Sequence, residues 1–406
     1  MLSVTEALQR VLAHTPAGGA ERVPVGEALG RVLAEEVITT VDLPSWDNSA
    51  MDGFAVLAAD VPGELEVIDT VAAGGVSRRT VVPGTAIRIM TGAPVPAGAD
   101  TVVMVEDTEA RLDRVVVKSP AIIGQHIRRR GSDVLVGETL MRPGRVLHAG
   151  ALGVAAAIGL PSLKVATRPR VAILSTGDEV VEAGRPLGPG QLWSSNIRSL
   201  DALVRDAGGI PVDLGNVPDD PTQLREAFQE ALRHDLVVST GGVSVGDFDH
   251  VKPVLGSLGV SMDFWRVAMK PGKPLAFGTL GGRPVFGLPG NPVSCMVNFL
   301  QFVRPVMRKM MGDEHPFLPV VEAELEGVHR RHPHRPEFLR VRLEHVGGRI
   351  RALLAGGHQG SGNLVGMAEA HGFVLVDAAT TEVTGPVKVQ VFDLSFFAAR
   401  SSGLPW

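Results

Sequence analysis

The chain has 406 residues, 45% hydrophobic and 20% charged, with a formal net charge of −5. At about 150 residues per domain this allows roughly two to four domains, and so much apolar material excludes disorder as the default state. The 39 Lys+Arg against 44 Asp+Glu exclude broad binding to a nucleic-acid backbone, which needs clustered basic charge, but leave room for a local anion pocket. The single cysteine, Cys295, excludes an internal disulfide framework and a multi-cysteine zinc site. No run of about 18 uncharged apolar residues indicates a membrane span. The opening MLSVTEALQR lacks the basic-then-apolar pattern of a signal peptide, so the expected setting is cytoplasmic, without a nucleic-acid or membrane partner.

Ser3 and Glu6 have capping-box spacing, and Val4, Leu8, Val11 and Leu12 follow at helical intervals, predicting a first helix. EALGRVLAEEV (27–37) predicts a second. After Pro44 the texture changes to LEVIDTV (65–71), TAIRIM (85–90), TVVMVED (101–107) and RVVVKS (114–119), short β-branched segments bounded by Gly, Pro or Asp. HAGALGVAAAIG (148–159) reads as helix again, which suggests a β-rich block inserted into a helical region.

From Arg168, strand and helix alternate. RVAILST (170–176), IPVDLGNV (210–217) and DLVVST (235–240) predict strands. SLDALVRDAG (199–208), PTQLREAFQEALRH (221–234) and NPVSCMVNFLQFVRPVM (291–307) predict helices, with Pro292 suited to a first turn. Apolar strands separated by amphipathic helices predict a parallel sheet with helices on both faces. Beyond Pro316, FLRVRLEHV (338–346), FVLVDA (373–378) and KVQVFDL (388–394) predict a second β-rich module, so the fold class is α/β at the centre with β-rich flanks.

Open α/β sheets bind ligands outside the carboxyl ends of their strands. Three polar, Gly-rich loops fall there: STGDE (175–179), STGGVSVGDFDH (239–250) and GLPGNPVS (287–294). In the second, Gly241, Gly242 and Gly246 let backbone N–H groups approach an oxyanion, and Ser239, Thr240 and Ser244 offer hydroxyls. Asp247 and Asp249 would repel a bare phosphate and make sense if a divalent cation bridges them to it. One such loop alone is ordinarily a turn with an Asp N-cap, whereas three at three strand ends point to a site.

Other candidates carry two readings each. Glu179 suits a cation, a ribose hydroxyl or simply the first turn of a helix, and Asp219 and Asp220 suit a cation or an N-cap. Lys270 and Lys273 flank a Pro-Gly turn in VAMKPGKPLAFG (267–278) and suit an anion. HRRHPHRPEFLR (329–340) reads as an exposed basic or anion-binding loop rather than a metal site. LPSWDNSAMDGFAV (43–56) concentrates polar residues around Asp52-Gly53, which is a tight turn or part of a functional loop. Cys295, in an apolar helix, reads as a packed thiol.

Seven of these stretches resemble, in order, the motifs of the molybdopterin molybdenumtransferases, the molybdenum insertases that include the E domain of gephyrin. They are WDNSAMDGFAV (46–56), IMTGAPVPAGADTVVMVE (89–106), RPRVAILSTGDEVV (168–181), GQLWSSN (190–196), DLVVSTGGVSVGDFD (235–249), AMKPGKPLAFG (268–278) and VFGLPGNPVSCMVNF (285–299). After Pro316 only PEFLR (336–340) and QGSGNLVGMAEAHG (359–372) look familiar. The resemblance implies a split helical, linking domain over 1–45 and 141–168 and an inserted β-rich domain over 46–140. It further implies an α/β molybdopterin-nucleotide-binding domain over 169–316 and a C-terminal, barrel-like β domain over 317–406. A homodimer is implied, each cleft lying between the α/β domain of one subunit and the inserted domain of the other, with other cofactor-biosynthesis proteins as further partners.

The implied reaction inserts molybdate into adenylylated molybdopterin and releases AMP, with Mg²⁺ or another divalent cation as cofactor. With the loops above, the expected catalytic residues are Asp52, Thr91, Glu179, Asp249 and Lys270. Expected to bind substrate are Ser175, Thr176, Gly177, Asp178, Ser239, Gly241, Gly242, Ser244, Gly246, Arg266, Lys273, Pro289, Arg340 and Ser361. Expected cation ligands are Asp52, Asp219, Asp220, Asp247 and Asp249. Arg266 stands where the family also admits Lys, and Phe54 where Tyr is common. Two alternatives are an adenylyltransferase of the same α/β type, which leaves the flanking modules without a task, and a gephyrin-like scaffold.

Overall fold

The computed structural model describes residues 1–242, 250–332 and 334–398. At its centre is a six-stranded sheet in the order Ile210–Val217, Arg170–Thr176, Leu236–Thr240, Arg283–Leu288, Pro274–Leu280, Ser261–Arg266. The first four strands are parallel, as predicted. The last two are antiparallel, a departure with a local cause. Pro274–Leu280 and Arg283–Leu288 are joined by Gly281 and Gly282 alone, at φ 56° and 81°, and so short a link makes a hairpin rather than a crossover.

Alternation along the buried strand Arg170–Thr176 feeds two cores. Val171 and Ile173 face a cluster with Ile197, Leu200 and Val204 of helix Asn196–Asp206 and with the long helical run from Pro292 to Met310. Ala172 and Leu174 face the opposite cluster, built on Leu224 and Phe228 of helix Pro221–Ala231 and Val251 and Leu255 of helix Val251–Ser257. The first helix, Val4–Ala13, starts at the Ser3–Glu6 capping box. It buries Ala7 and Val11 in the first of these cores and adds an Arg10–Asp263 ion pair at 2.9 Å. Within the long run, Phe299–Val303 forms a π-helical turn, where Gln301 Nε2 donates to Gln390 Oε1 of the C-terminal module at 3.0 Å.

Residues 27–37 are not the predicted helix. A 3₁₀ turn at Val25–Glu27 gives way to extended backbone, with Leu33 N donating to Arg145 O and Ala34 N to Lys164 O, both at 2.9 Å. The apolar residues at helical spacing instead line a small core with Leu147, Leu163 and Val165. Strand pairing dominates the rest of this linking region: Ala20–Pro24 pairs with Ser162–Ala166 and Val37–Ile38 with Thr139–Met141, beside the predicted helix Ala149–Ala157. Between these elements lies a six-stranded sheet ordered Thr101–Met104, Gly53–Val56, Thr85–Ile89, Gly63–Val71, Arg114–Val117, Thr108–Arg111. At the C-terminus five strands between Val320 and Val391 close into a barrel around Leu339, Val341, Val374 and Val389. Among the described residues no helix is long and apolar enough to cross a membrane.

Phe228, fully buried under the sheet, tests this packing. Phe228→Ala is expected to destabilise by about 3–5 kcal/mol, whereas Val154→Ala on an exposed helix face changes stability by no more than about 0.5 kcal/mol; thermal unfolding of both variants reads the contrast.

Candidate functional site

A cleft of about 450 Å³ opens at the carboxyl ends of Arg170–Thr176 and Leu236–Thr240. Of the expected residues, Ser175, Thr176, Gly177, Glu179, Asp219, Gly241, Gly242 and Pro289 line it. Two glycines set its shape. Gly241 and Gly242 have φ 92° and 60°, and a Cβ on them would stand 2.5 Å from Thr176 O and 2.6 Å from Val251 Cγ2 respectively. Only glycine allows this close approach without strain.

Ser194, Ser195, Asn196 and Asn291 also line the cleft, and sequence reasoning did not select them. Asn196 Nδ2 donates to Thr240 Oγ1 at 2.9 Å and to Gly290 O at 2.8 Å, and Thr240 Oγ1 donates to Pro289 O at 3.0 Å. These bonds tie the second and third loops together. The signal was the SSN run immediately before a helix, a polar cluster where a ligand-binding loop would be. Thr176 Oγ1, Ser194 Oγ and Asn196 Oδ1 are buried without a hydrogen-bond partner. Buried polar atoms are almost always paired, so three orphans on one wall suit a polar ligand.

Ser239 departs from expectation: fully buried, it donates to Phe286 O at 3.3 Å and stands behind the cleft. Strand alternation turns its side chain into the sheet. Ser244, Gly246, Asp247 and Asp249 lie outside the described residues.

Three carboxylates crowd one edge of the cleft. Asp219 is half-buried, and its N–H donates to Asp178 Oδ1 at 3.1 Å. Burial first, then the negative charges of Asp178 and Glu179, push the Asp219 carboxyl above its ordinary range. Asp220 takes the capping role, accepting from Thr222 N at 3.1 Å and Gln223 N at 2.9 Å. On the inserted sheet, the Thr91 hydroxyl and backbone N–H both donate to Asp52 Oδ1 at 2.6 Å, holding that exposed carboxyl below its ordinary range. Asp52 and Thr91 are thus brought to each other, and not to the walls of the cleft in the same chain. Asp178 and Glu179 are close enough to repel Asp219, yet among the described residues no three such side chains are placed to hold one ion together. Cys295 is the packed thiol expected, its pKa pushed to about 12 by burial.

A second cavity, of about 690 Å³, lies between the hairpin around Lys270–Lys273 and the C-terminal barrel, and shares Pro274 and Asn291 with the first. Lys273 and Ser361 line it, with Ser294. The Lys270 ammonium sits 2.9 Å from Glu337 Oε1, and the other oxygen of that buried carboxylate lies 2.9 Å from Arg331 Nε. Arg331, expected on an exposed loop, is therefore turned inward, where Glu337 compensates its charge. Lys273 is half-buried and forms no ion pair among the described residues.

Arg340 and Arg266 line neither cavity. Arg340 is 1% exposed, and its guanidinium donates to Asn363 O at 2.8 Å, His358 O at 2.9 Å and Gln359 Oε1 at 3.3 Å. It anchors the loop that carries Ser361. Arg266 is exposed at the end of strand Ser261–Arg266.

Asp219 gives a pH test. Its raised value means the folded chain keeps a proton that the unfolded chain has already lost, so its contribution to stability declines as pH rises through that window. Asp219→Asn is expected to raise the thermal midpoint at pH 7 by about 1–2 °C, an advantage that disappears below the ordinary aspartate range, where both states are protonated.

Three family models match the chain in order. The MoeA N-terminal region (domain I and II) matches residues 2–159, the "Probable molybdopterin binding domain" 172–309, and the MoeA C-terminal region (domain IV) 323–392. The chain is 39% identical over 386 residues to molybdopterin molybdenumtransferase 2 of Mycobacterium tuberculosis, covering 92% of this chain and 95% of that one. It is 33% identical over 417 residues to the molybdopterin molybdenumtransferase of Bacillus subtilis, covering 100% and 96%. The crystal structure of the molybdopterin biosynthesis MoeA protein from Pyrococcus horikoshii superposes with a TM-score of 0.82 at 30% identity, over 97% of this chain and all of that one. With such relatives along almost its whole length, the chain belongs to the molybdopterin molybdenumtransferase family.

Proposed function

We propose that this transferase of molybdenum-cofactor biosynthesis inserts molybdate into adenylylated molybdopterin and releases AMP, as a cytoplasmic homodimer assisted by a divalent cation such as Mg²⁺. One observation carries the proposal: two unlike cavities share Pro274 and Asn291. The first is lined by glycines and by unpartnered hydroxyl and amide oxygens, and suits the phosphates and sugar of a nucleotide. The second offers an ammonium with no ion pair among the described residues beside two serine hydroxyls, and suits a small oxyanion. The substrates proposed here have the same two parts, a pterin nucleotide and molybdate.

In this mechanism Thr176, Ser194 and Asn196 grip the nucleotide, and the backbone N–H groups at Gly241 and Gly242 approach its phosphate oxygens. Lys273 and Ser361 hold molybdate against the first cavity. Lys270 and Arg340 act at one remove, Lys270 by docking its hairpin on Glu337 and Arg340 by fixing the Ser361 loop. Water then attacks the pterin-side phosphorus and the anhydride P–O bond breaks with AMP as leaving group, while the two pterin thiols bond to molybdenum and their protons leave with one molybdate oxygen as water.

The carboxylates fit a cation in one respect, because burial and then repulsion from Asp178 and Glu179 lift Asp219, and a cation would offset both. Asp219 and Asp249 would hold it, with Asp52 supplied by a second copy of the chain. When bound, the cation neutralises the phosphate oxygens.

AMP release by the purified protein, with and without molybdate and Mg²⁺, tests the reaction. Release is expected to need both, and nucleotide binding without release under any condition would hand the case to a scaffold. Shared clefts make a further prediction. Asp52→Ala and Asp249→Ala homodimers should each lose about 10²-fold or more in rate, while mixed dimers, carrying one intact cleft, regain activity; a mixture as inactive as its components would overturn cross-subunit catalysis.

A further inference from the structure

We infer that Asn298 is a positioning residue for the anion-binding hairpin, fixing the backbone on both sides of Lys273; this rests on the proposal that the hairpin cavity receives molybdate. Asn298 ends helix Pro292–Asn298 and is fully buried, between the equally buried apolar residues Val297 and Phe299. A primary amide in such a run is expensive to desolvate, and a valine or leucine would serve the helix better.

Its hydrogen bonds give another reason for its presence. Asn298 Nδ2 donates to Gly272 O at 3.2 Å and to Pro274 O at 3.1 Å. Both protons of the amide are used, and the two carbonyls they reach flank Lys273. Gly272 has φ 97°, and a Cβ there would stand 2.6 Å from Asn298 Oδ1, so amide and hairpin are in direct contact. Oδ1 itself is buried without a partner. The helix thus tolerates an unsatisfied acceptor while its donors pin a loop belonging to another element.

The rest of the hairpin is held from the barrel side. Arg335 Nη1 donates to Met269 O at 3.2 Å, and Glu337 takes the Lys270 ammonium at 2.9 Å. Lys273 lines the cavity without an ion pair among the described residues, and its backbone is the part that Asn298 brackets. Asn298 lines neither cavity, so it acts through Lys273 and not on the ligand. Loss of its amide should loosen oxyanion binding and spare nucleotide binding, because Pro274 is shared with the nucleotide cleft but the polar wall of that cleft is built on Thr176 and Asn196.

The test compares Asn298→Leu, Gly272→Ala and Lys273→Ala in AMP-release kinetics with molybdate as the varied substrate, with AMP affinity measured by calorimetry. Gly272→Ala perturbs the same contact from the hairpin side and keeps the helix core native. The expected result is a molybdate KM raised about tenfold in both Asn298→Leu and Gly272→Ala, with kcat within about twofold and AMP affinity unchanged. A fall in kcat and AMP affinity along with molybdate binding would mean a general structural role and overturn the inference. If Lys273→Ala raises the molybdate KM and neither of the other two variants does, the inference alone fails. If Lys273→Ala leaves it unchanged, the molybdate assignment of the cavity fails first.

Discussion

The nucleotide cleft depends on how closely the loop after strand Leu236–Thr240 approaches Thr176. Gly241 and Gly242 occupy positive φ with no room for a Cβ, and Asn196 bridges from the start of its helix to Thr240 and Gly290. Remove the glycines' freedom and the two strand ends separate, opening the wall that leaves Thr176 Oγ1 and Asn196 Oδ1 without partners. The parallel register of Arg170–Thr176 with Leu236–Thr240 fixes where that wall stands, and the two helix-covered cores fix the register. The orphan oxygens are therefore a consequence of packing far beneath them.

Much of the central architecture was legible because its signals are local. RVAILST and DLVVST have apolar, β-branched centres, and PTQLREAFQEALRH carries a helical stripe just after the N-cap Asp220, so strands and helix appear close to their expected limits. EALGRVLAEEV misled for a physical reason. Its apolar spacing fits a helix, yet Leu33 and Ala34 find their backbone partners more than a hundred residues away, at Arg145 and Lys164. Long-range pairing overrode a weak local preference. The antiparallel edge was missed on similar grounds, since a two-glycine link decides direction and carries no hydrophobic pattern.

The site was legible in chemical type more than in geometry. Spacing placed polar loops at strand ends, and the glycines and Thr176 of those loops do line the cleft. Sequence could not show which cations are already spoken for. Lys270 faces Glu337, Arg331 shares the same carboxylate, and Arg340 spends its guanidinium on the carbonyls of a loop. Formal charge counts each of these as free for an anion; the fold spends Arg340 on carbonyls and leaves Lys270 and Arg331 to share one carboxylate. Asp219 and Asp220 are neighbours in sequence with opposite fates, one crowded against carboxylates and the other capping a helix.

The first helix has a bearing on how the chain is made. Ala7 and Val11 are buried against residues as distant as Val303 and Val306, so Val4–Ala13 leaves the ribosome long before its partners exist. At about 5–20 residues per second, roughly 15–60 s separate its synthesis from theirs. Throughout that interval an amphipathic segment has its apolar stripe uncovered, and a short helix without tertiary support is marginal in water. The α/β unit can therefore complete its sheet-facing core only after Val306 has been made, when Val4–Ala13 folds back on the helical run from Pro292 to Met310. Nascent chains stalled before Pro292 should expose that stripe to chaperones, so this helix is a timing element in the protein's own biogenesis.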